Sequence, residues 1–271
     1  MPSKLFLSQL KPAFNLCKKN KGFFLLSCFI DLVFFLILLA VNYFFLMSVK
    51  DFIVGFIDAV QENFAGVLEK NLTVISPGMI KTPELMSAYH LILKYVVVFV
   101  LIALLVWIVF KGINWFIANR LIRKVKPGDF IKRFIAHTFL ACICLFIIMV
   151  IATNLVAYSS SSFLPLFGST TARFITLVLI WLLSYFLAVS YSTNLTCKEL
   201  MKAGIKHYKE LVPAHLFIFI GFLLLSYLTV ESIKLDFWAP VFFALIITIP
   251  FVTYGRIYIV VVVNKVLKRG R

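Results

Sequence analysis

Six long apolar segments recur along the chain, each bounded by basic or polar residues. A helix needs about 20 mostly apolar residues to cross a bilayer, because its backbone polar groups must be satisfied within the segment. This pattern predicts spanning helices over 23–47, 92–117, 134–157, 174–193, 214–231 and 239–263. Pro213 and Pro240 agree with these boundaries, since each falls where a predicted helix begins. The sequence therefore predicts an all-α, polytopic membrane helical bundle that forms a single domain over 1–271.

The segment between the first two predicted spans, roughly 48–90, is the only sizeable soluble stretch. Apolar residues recur there at three- and four-residue steps: Val49, Phe52, Ile53, Phe56, Ile57, Val60, Phe64, Val67 and Leu68. The acidic residues fall largely on the other face, so the spacing predicts an amphipathic helix. We expect it to lie on the outer leaflet or to cap the bundle, with docking of a partner as the alternative. A glycosylation sequon begins at Asn71, which matters only in a host that glycosylates proteins.

Composition excludes a soluble protein. Hydrophobic residues make up 62% of the chain and charged residues only 14%, whereas a soluble domain typically carries about 25% charged residues. A soluble chain of 271 residues could not bury so much apolar surface in its own core. Lipid is therefore the expected surrounding of most of these side chains.

The formal net charge of +16 is distributed unevenly over the predicted loops. Of the 27 lysine and arginine residues, 20 fall in the two tails and in the loops that follow the second and fourth spans, and six fall on the other side. Lys111 is counted in the larger group, just inside the membrane edge. Because positively charged loops remain in the cytoplasm, both termini are predicted to be cytoplasmic, in the plasma membrane of a prokaryote.

The same basic residues indicate which partners to expect. They are short runs divided among four segments, which argues against nucleic acid. Contact with anionic lipid headgroups at the cytoplasmic face accounts for them, so membrane lipids are the predicted partners, and a protein partner or a second copy of the chain stays open. None of the five cysteines lies in a predicted external loop, so no disulfide framework is expected.

Three basic segments precede three pairs of predicted spans, at 11–19, 126–134 and 202–209. Each alternates apolar and basic residues, as helices do that lie in the headgroup region, and together they suggest a threefold hairpin repeat. This pattern resembles poorly characterised six-helix prokaryotic membrane proteins, including the membrane domain attached to some glycerophosphodiester phosphodiesterases. The resemblance implies a bundle of amphipathic helices and hairpins. It implies no phosphodiesterase activity, because the sequence contains no such domain.

Two charged residues lie well inside predicted spans, and intramembrane charges are functional candidates. Asp31 in the first span and Arg256 in the sixth are each about eight residues from the predicted cytoplasmic end. At about 1.5 Å per residue, both lie roughly 12 Å deep. Equal depth and opposite charge predict an ion pair that joins the first and last helices.

A substrate or proton site is the alternative role for these two charges, and catalysis is a third. Tyr254, Tyr258 and Asn42 would be the neighbouring polar groups in such a site. Pro250 and Gly255 would loosen the sixth helix locally, as broken helices do in transporters.

Motifs of catalysis or metal binding are not found in the sequence. The histidines have no metal-ligand spacing, and we interpret them as solvated interfacial residues: His90, His137, His207 and His215. No cofactor is expected. The sequence therefore favours a non-catalytic membrane protein that acts as a scaffold, an accessory subunit or a lipid-organising protein. A transporter or permease for a small solute or lipid is the second hypothesis, and a membrane-embedded enzyme the third.

Overall fold

The computed structural model describes residues 3–69, 83–160, 169–193, 195–234 and 238–269. Almost all of these residues are helical, and none of them forms a β-strand. The helices are α1 (Ser3–Lys19), α2 (Lys21–Glu69), α3 (Pro83–Arg120), α4 (Pro127–Ser160), α5 (Ser169–Tyr191), α6 (Cys197–Lys206), α7 (Tyr208–Glu231), α8 (Ala239–Phe243) and α9 (Ile249–Arg269). A 3-10 turn at Ser232–Lys234 follows α7, and a π-helical turn at Ala244–Thr248 joins α8 to α9.

Six segments of these helices are long and apolar enough to cross a membrane. They are Lys21–Lys50, Leu93–Arg120, Pro127–Asn154, Arg173–Tyr191, Tyr208–Glu231 and Ala239–Lys268. Each contains most of one predicted span, so the prediction of an all-α polytopic membrane bundle is confirmed. The protein is a multi-pass integral membrane protein.

Helix α2 continues without a break beyond the first predicted span. With 49 residues, it is about 70 Å long at 1.5 Å per residue, more than twice the roughly 30 Å of a hydrocarbon core. The predicted amphipathic segment is therefore helical up to Glu69, as a continuation of the spanning helix. Of the side chains that define the two predicted faces, Val49 is described and is buried. The others, and residues 70–82 with the sequon at Asn71, lie outside the described part.

The chain divides into two compact units, one formed by Val33–Val109 and the other by Met1–Leu32 with Phe110–Arg271. In the first of these, α2 and α3 pack antiparallel through aromatic side chains. The Phe34 and Trp107 rings meet edge to face with centroids 5.8 Å apart, and the Phe45 and Phe99 rings are 4.6 Å apart. The single domain over 1–271 stays a prediction.

In the larger unit, α9 is the central helix and contacts α1, α5 and α7. Its buried residues are mostly valines and other β-branched residues, whose compact side chains pack closely against neighbouring helices. Glycines allow α7 and α9 to approach closely: a Cβ atom at Gly255 would lie 2.9 Å from Ile218 on α7, and one at Gly221 on α7 would lie still nearer to Phe251 on α9. On the side of α1, Cys17 packs against Ile257 and Val260, and burial raises the pKa of the Cys17 thiol to about 11.

The π-helical turn lies directly before Pro250, where loosening of the sixth helix was predicted. Proline has no N–H to donate, and its ring clashes with the carbonyl group four residues earlier, here that of Ile246. A wider turn over Ala244–Thr248 relieves this conflict. Beyond it, α9 is regular through Gly255, so the local change is confined to the neighbourhood of the proline.

The three basic segments do not have the same structure. The first lies in α1 and the third overlaps α6, which begins earlier than predicted because Thr196 and Glu199 form a reciprocal N-terminal cap. The second is not a separate helix: α4 begins at Pro127 and continues into the span. Pro127 starts a helix readily, and after Gly128 no glycine or proline interrupts α4 up to Ser160. The predicted threefold similarity therefore does not extend to this segment.

Candidate functional site: a buried charge cluster

Asp31 and Arg256 are in direct contact inside the larger unit. Asp31 is 0% exposed and Arg256 is 6% exposed. The Arg256 Nη2 group donates to both carboxylate oxygens, at 3.0 Å to Oδ1 and 2.8 Å to Oδ2. This contact joins α2 to α9, and through them the first and last spanning segments.

Lys111 on α3 is a third charged member, which the sequence interpretation missed. Its Nζ atom donates to Asp31 Oδ1 at 2.8 Å, and the residue is 7% exposed. It was counted with the loop residues at the membrane edge, and this assignment was wrong. A signal was present: Lys111 lies nine residues before the end of its span at Arg120, and Asp31 lies ten residues after Lys21, so their depths match.

Uncharged polar residues complete the cluster. Thr253 Oγ1 donates to Asp31 Oδ2 at 2.9 Å. The Arg256 Nη1 group donates to Ser27 Oγ at 3.0 Å, and Ser27 in turn donates to Asn114 Oδ1 at 2.8 Å.

Helical spacing places these groups on shared faces. Ser27 is four residues before Asp31 on α2, and Thr253 is three residues before Arg256 on α9, so each pair lies on one side of its helix. Asn114 likewise follows Lys111 by three residues. Polar residues three or four positions from a buried charge are therefore the sequence signal that could have identified them.

The carboxylate of Asp31 is saturated by protein donors. A carboxylate offers about four lone-pair positions, and here each oxygen accepts two hydrogen bonds, from Arg256 and Lys111 on Oδ1 and from Arg256 and Thr253 on Oδ2. No position remains for a proton, a cation or a substrate donor. The arrangement suits holding helices together better than exchanging a ligand.

Positive charge exceeds negative charge in the cluster, because two cations face one carboxylate. The Arg256 Cζ atom lies 5.9 Å from the centre of the Trp115 ring, and such a cation–π contact stabilises part of this charge. Among the residues that the structure describes, none accepts a hydrogen bond from the buried Asn114 Nδ2 group. An unpaired buried donor costs about 1–3 kcal/mol, so any acceptor that reached Asn114 would be favoured.

The other polar residues considered for this site have different roles. The Tyr254 hydroxyl donates to the Leu10 carbonyl oxygen at 3.0 Å and ties α9 to α1. Tyr258 is fully buried in the hydrophobic core around α9. Asn42 belongs to the unit Val33–Val109.

Two histidines are buried, so their interpretation as solvated interfacial residues was wrong. His137 Nδ1 lies 2.6 Å from Ser190 Oγ, and His215 Nε2 lies 3.3 Å from Ser184 Oγ. A neutral imidazole can be buried when a ring nitrogen has a hydrogen-bond partner, and α5 provides a serine in both cases. Within the described ranges, no three His, Cys, Asp or Glu side chains are grouped so as to hold a metal ion.

No protein family, curated protein or solved structure matches the chain. The resemblance to membrane domains of glycerophosphodiester phosphodiesterases stays a prediction.

Proposed function

We propose that the protein is a non-catalytic membrane protein that binds and organises anionic lipids at the cytoplasmic face of the membrane. One observation carries the proposal: the helices next to the spans expose apolar side chains and lysines together. In this proposal the basic ends of the helices are cytoplasmic, as the positive-inside rule requires, and the membrane is the plasma membrane of a prokaryote.

Helix α1 has one face buried and another suited to a lipid surface. Ala13 and Cys17 pack into the larger unit, whereas Leu7 and Phe14 are exposed on either side of the exposed Lys11. Where α1 meets α2, an open depression is lined by basic and apolar side chains: Lys18, Lys19, Lys21, Phe23 and Leu26. Apolar contact with acyl chains and attraction of lysines to anionic headgroups would act there together.

Helix α6 repeats this arrangement on α5. Leu200 and Gly204 are buried, and the Tyr185 hydroxyl donates to the Gly204 carbonyl oxygen at 2.9 Å, which fixes the helix in place. On its other side Met201 and Ile205 are exposed, together with the lysines at 198, 202 and 206. Two fixed helices with the same character support a lipid-binding surface.

The charge cluster supports a structural role for the interior. A transport site must release a ligand or proton, and the saturated Asp31 carboxylate offers neither a vacancy nor a mobile group. We assign to Asp31, Arg256 and Lys111 the role of holding α2, α3 and α9 together, so that the basic surface keeps its geometry.

The test is extraction of the tagged, full-length protein with its surrounding lipids in polymer-bounded native discs. We expect anionic lipids to be enriched relative to the whole membrane, and this enrichment to fall when Lys11, Lys18, Lys19 and Lys21 are changed to Gln. The control changes Lys50, Lys94 and Lys234, which lie on the predicted external side, and should leave the enrichment unchanged. Lipid ratios equal to those of the membrane would reject the proposal.

A second candidate is transport of an anionic solute, favoured by the excess of cations over carboxylates in the cluster and by the unpartnered Asn114 donor. It predicts a solute that accumulates in proteoliposomes and whose flux is abolished in Lys111→Ala. Lipid organisation predicts no such flux.

A further inference from the structure

The open depression where α1 meets α2 has room for a ligand. Its volume of about 680 Å³ falls within the roughly 300–1,000 Å³ of small-molecule pockets. Its lining comes from one stretch of the chain: Lys18, Lys19, Asn20, Lys21, Gly22, Phe23 and Leu26. All of these residues except the half-buried Asn20 are exposed, so a bound molecule can reach their side chains.

The helix junction that forms the depression is held by hydrogen bonds and packing. The backbone N–H group and the Nδ2 group of Asn20 both donate to the Leu16 carbonyl oxygen at 3.0 Å, and the Phe24 N–H group donates to the Asn20 carbonyl oxygen at 3.1 Å. Cys17 is buried against α9. The lysines next to these residues therefore extend from a fixed backbone, which lowers the entropy cost of binding a ligand.

The depression is positively charged and contains no counter-charge of its own. Lys18 and Lys19 on α1 and Lys21 on α2 supply three ammonium groups, and none of them forms an ion pair or a hydrogen bond with another described residue. Of the described residues that line the depression, none is acidic and none is a histidine. Three cations so close together favour a ligand with more than one negative charge.

The apolar part of the lining lies on the membrane side of the lysines. The first spanning segment begins at Lys21, so Phe23 and Leu26 lie about 3 and 7.5 Å further along it at 1.5 Å per residue. Both side chains are exposed, and the exposed Phe29 continues the apolar surface toward the membrane interior. A lipid places its charged group beside the lysines and its hydrocarbon beside these side chains, whereas a free anion would leave the apolar part uncovered.

From these observations we propose that the depression binds an anionic lipid whose headgroup is a phosphate monoester, as in phosphatidic acid. The inference rests on the proposed lipid-organising function and names the lipid class that this surface selects. A phosphodiester headgroup carries one negative charge, whereas a phosphate monoester carries up to two, with a second pKa of about 6. Nearby ammonium groups stabilise the doubly charged form, so the three lysines favour the monoester.

The experiment places the full-length protein in nanodiscs of phosphatidylcholine that contain equal amounts of phosphatidic acid and phosphatidylglycerol. Native mass spectrometry gives the ratio of the two anionic lipids retained. We expect phosphatidic acid to be retained preferentially at about pH 7.5 and this preference to fall several-fold at about pH 5, where only about a tenth of the phosphate monoesters are doubly charged. Equal retention of the two lipids at both pH values would overturn the monoester and leave the lipid-organising function intact. Retention of neither lipid above phosphatidylcholine would overturn both.

Two further arms identify the source of the phosphate. In discs with cardiolipin instead of phosphatidylglycerol, phosphatidic acid should again be preferred, and a preference for cardiolipin would mean that two phosphodiesters, rather than one monoester, occupy the depression. Inorganic phosphate in the buffer should leave the retained phosphatidic acid in place. Its displacement by inorganic phosphate would overturn the lipid as the source.

Substitution of the lining lysines tests the position of the site. Lys18→Gln, Lys19→Gln and Lys21→Gln should each lower the retention of phosphatidic acid about fivefold, the usual contribution of one lysine near an anionic membrane surface. Lys124→Gln is the matched control, because Lys124 is exposed in the loop before α4 and does not line the depression. Equal losses in the control and in the lining variants would overturn the depression but not the lipid-organising function.

A glycine in the lining gives a second test that leaves every charge in place. Apart from its chain neighbours and its own helix backbone, a Cβ atom at Gly22 would meet no atom within 4 Å. Gly22→Ala should therefore keep the Tm in phosphatidylcholine discs while it narrows the depression and lowers the retention of phosphatidic acid. Gly128→Ala, where the added Cβ atom is equally unobstructed, should change neither quantity. Equal retention in the two alanine variants would overturn the depression as the site.

Discussion

The third and sixth spanning segments lie in the same compact unit but in opposite surroundings. In the most apolar stretch of the sixth segment 61% of the residues are buried, compared with only 17% in that of the third segment. The third segment is nevertheless the more apolar of the two by mean hydropathy. Large side chains on α4 face outward, such as Phe146 at 70% exposure, whereas α9 buries small valines. Hydropathy therefore identifies what can enter a bilayer, and residue size identifies what packs at the centre.

The polar side chains of α9 and α4 differ in the same way as their apolar side chains. On α9, Thr253 and Arg256 both point into the charge cluster, where each has a buried partner. On α4, Thr153 and Asn154 are exposed and instead donate to carbonyl oxygens of their own helix, those of Met149 and Val150. A central helix can carry charge because neighbouring helices provide partners, whereas an outer helix satisfies its polar groups by itself.

The largest effect is expected from removing the carboxylate of the cluster. Asp31→Asn leaves Lys111 and Arg256 buried without a counter-charge, a loss of about 3–5 kcal/mol. Arg256→Gln should cost less, because Lys111 still faces Asp31. Thermal unfolding in detergent measures both. Lys234→Gln, which removes an exposed ion pair with Glu231, is the control and should cost less than about 1 kcal/mol. Unchanged Tm values in both cluster variants would refute the pairing.

A smaller effect is expected where α9 approaches α7. Gly255→Ala places a Cβ atom 2.9 Å from the Ile218 side chain, so that side chain or the helices must shift, at a cost of about 1–3 kcal/mol. Gly128→Ala on α4 is the matched control, since nothing lies within 4 Å of the added atom. Chemical unfolding of the two variants should separate them clearly. If Gly255→Ala and Gly128→Ala have equal free energies of unfolding, α9 is not more closely packed than α4.

The smallest change in the free energy of unfolding is expected when an isoleucine loses one methylene group, which we compare at one position on α9 and one on α4. Ile257 on α9 is 1% exposed and Ile147 on α4 is 51% exposed. Ile257→Val should lower the free energy of unfolding by about 0.5–1.5 kcal/mol, as in other cores, and Ile147→Val should leave it nearly unchanged because lipid replaces the lost contact. A loss at Ile147 equal to that at Ile257 would mean that α4 is covered by protein, such as a second copy.

The fold was predictable because the bilayer permits few solutions. Six apolar segments define the spans without any knowledge of packing, whereas the orientation inferred from the lysine and arginine residues stays a prediction. The end of α2, the helix that contains the first span, was not predictable from hydropathy. No glycine or proline breaks the chain between Ser48 and Val54, so α2 continues where hydropathy alone suggests a boundary.

The charge cluster was predictable only in part. Asp31 and Arg256 were found because charges inside spans are rare. Lys111 was missed because a lysine near a helix end usually extends to the interface, and only the contact with Asp31 draws it inward. The burial of His137 depended on Ser190, which is 53 residues away in sequence, and no local pattern contains that information.

The π-helical turn before Pro250 has a consequence for insertions and deletions. A π-helical turn contains one residue more than a regular turn, and each residue rotates a helix by about 100°. The chain could lose one residue within Ala244–Thr248 while α8 and α9 keep their faces. A one-residue deletion elsewhere between Ala239 and Arg256 would rotate one part of the sixth span against the other. That register, rather than any single contact, determines whether Arg256 meets Asp31.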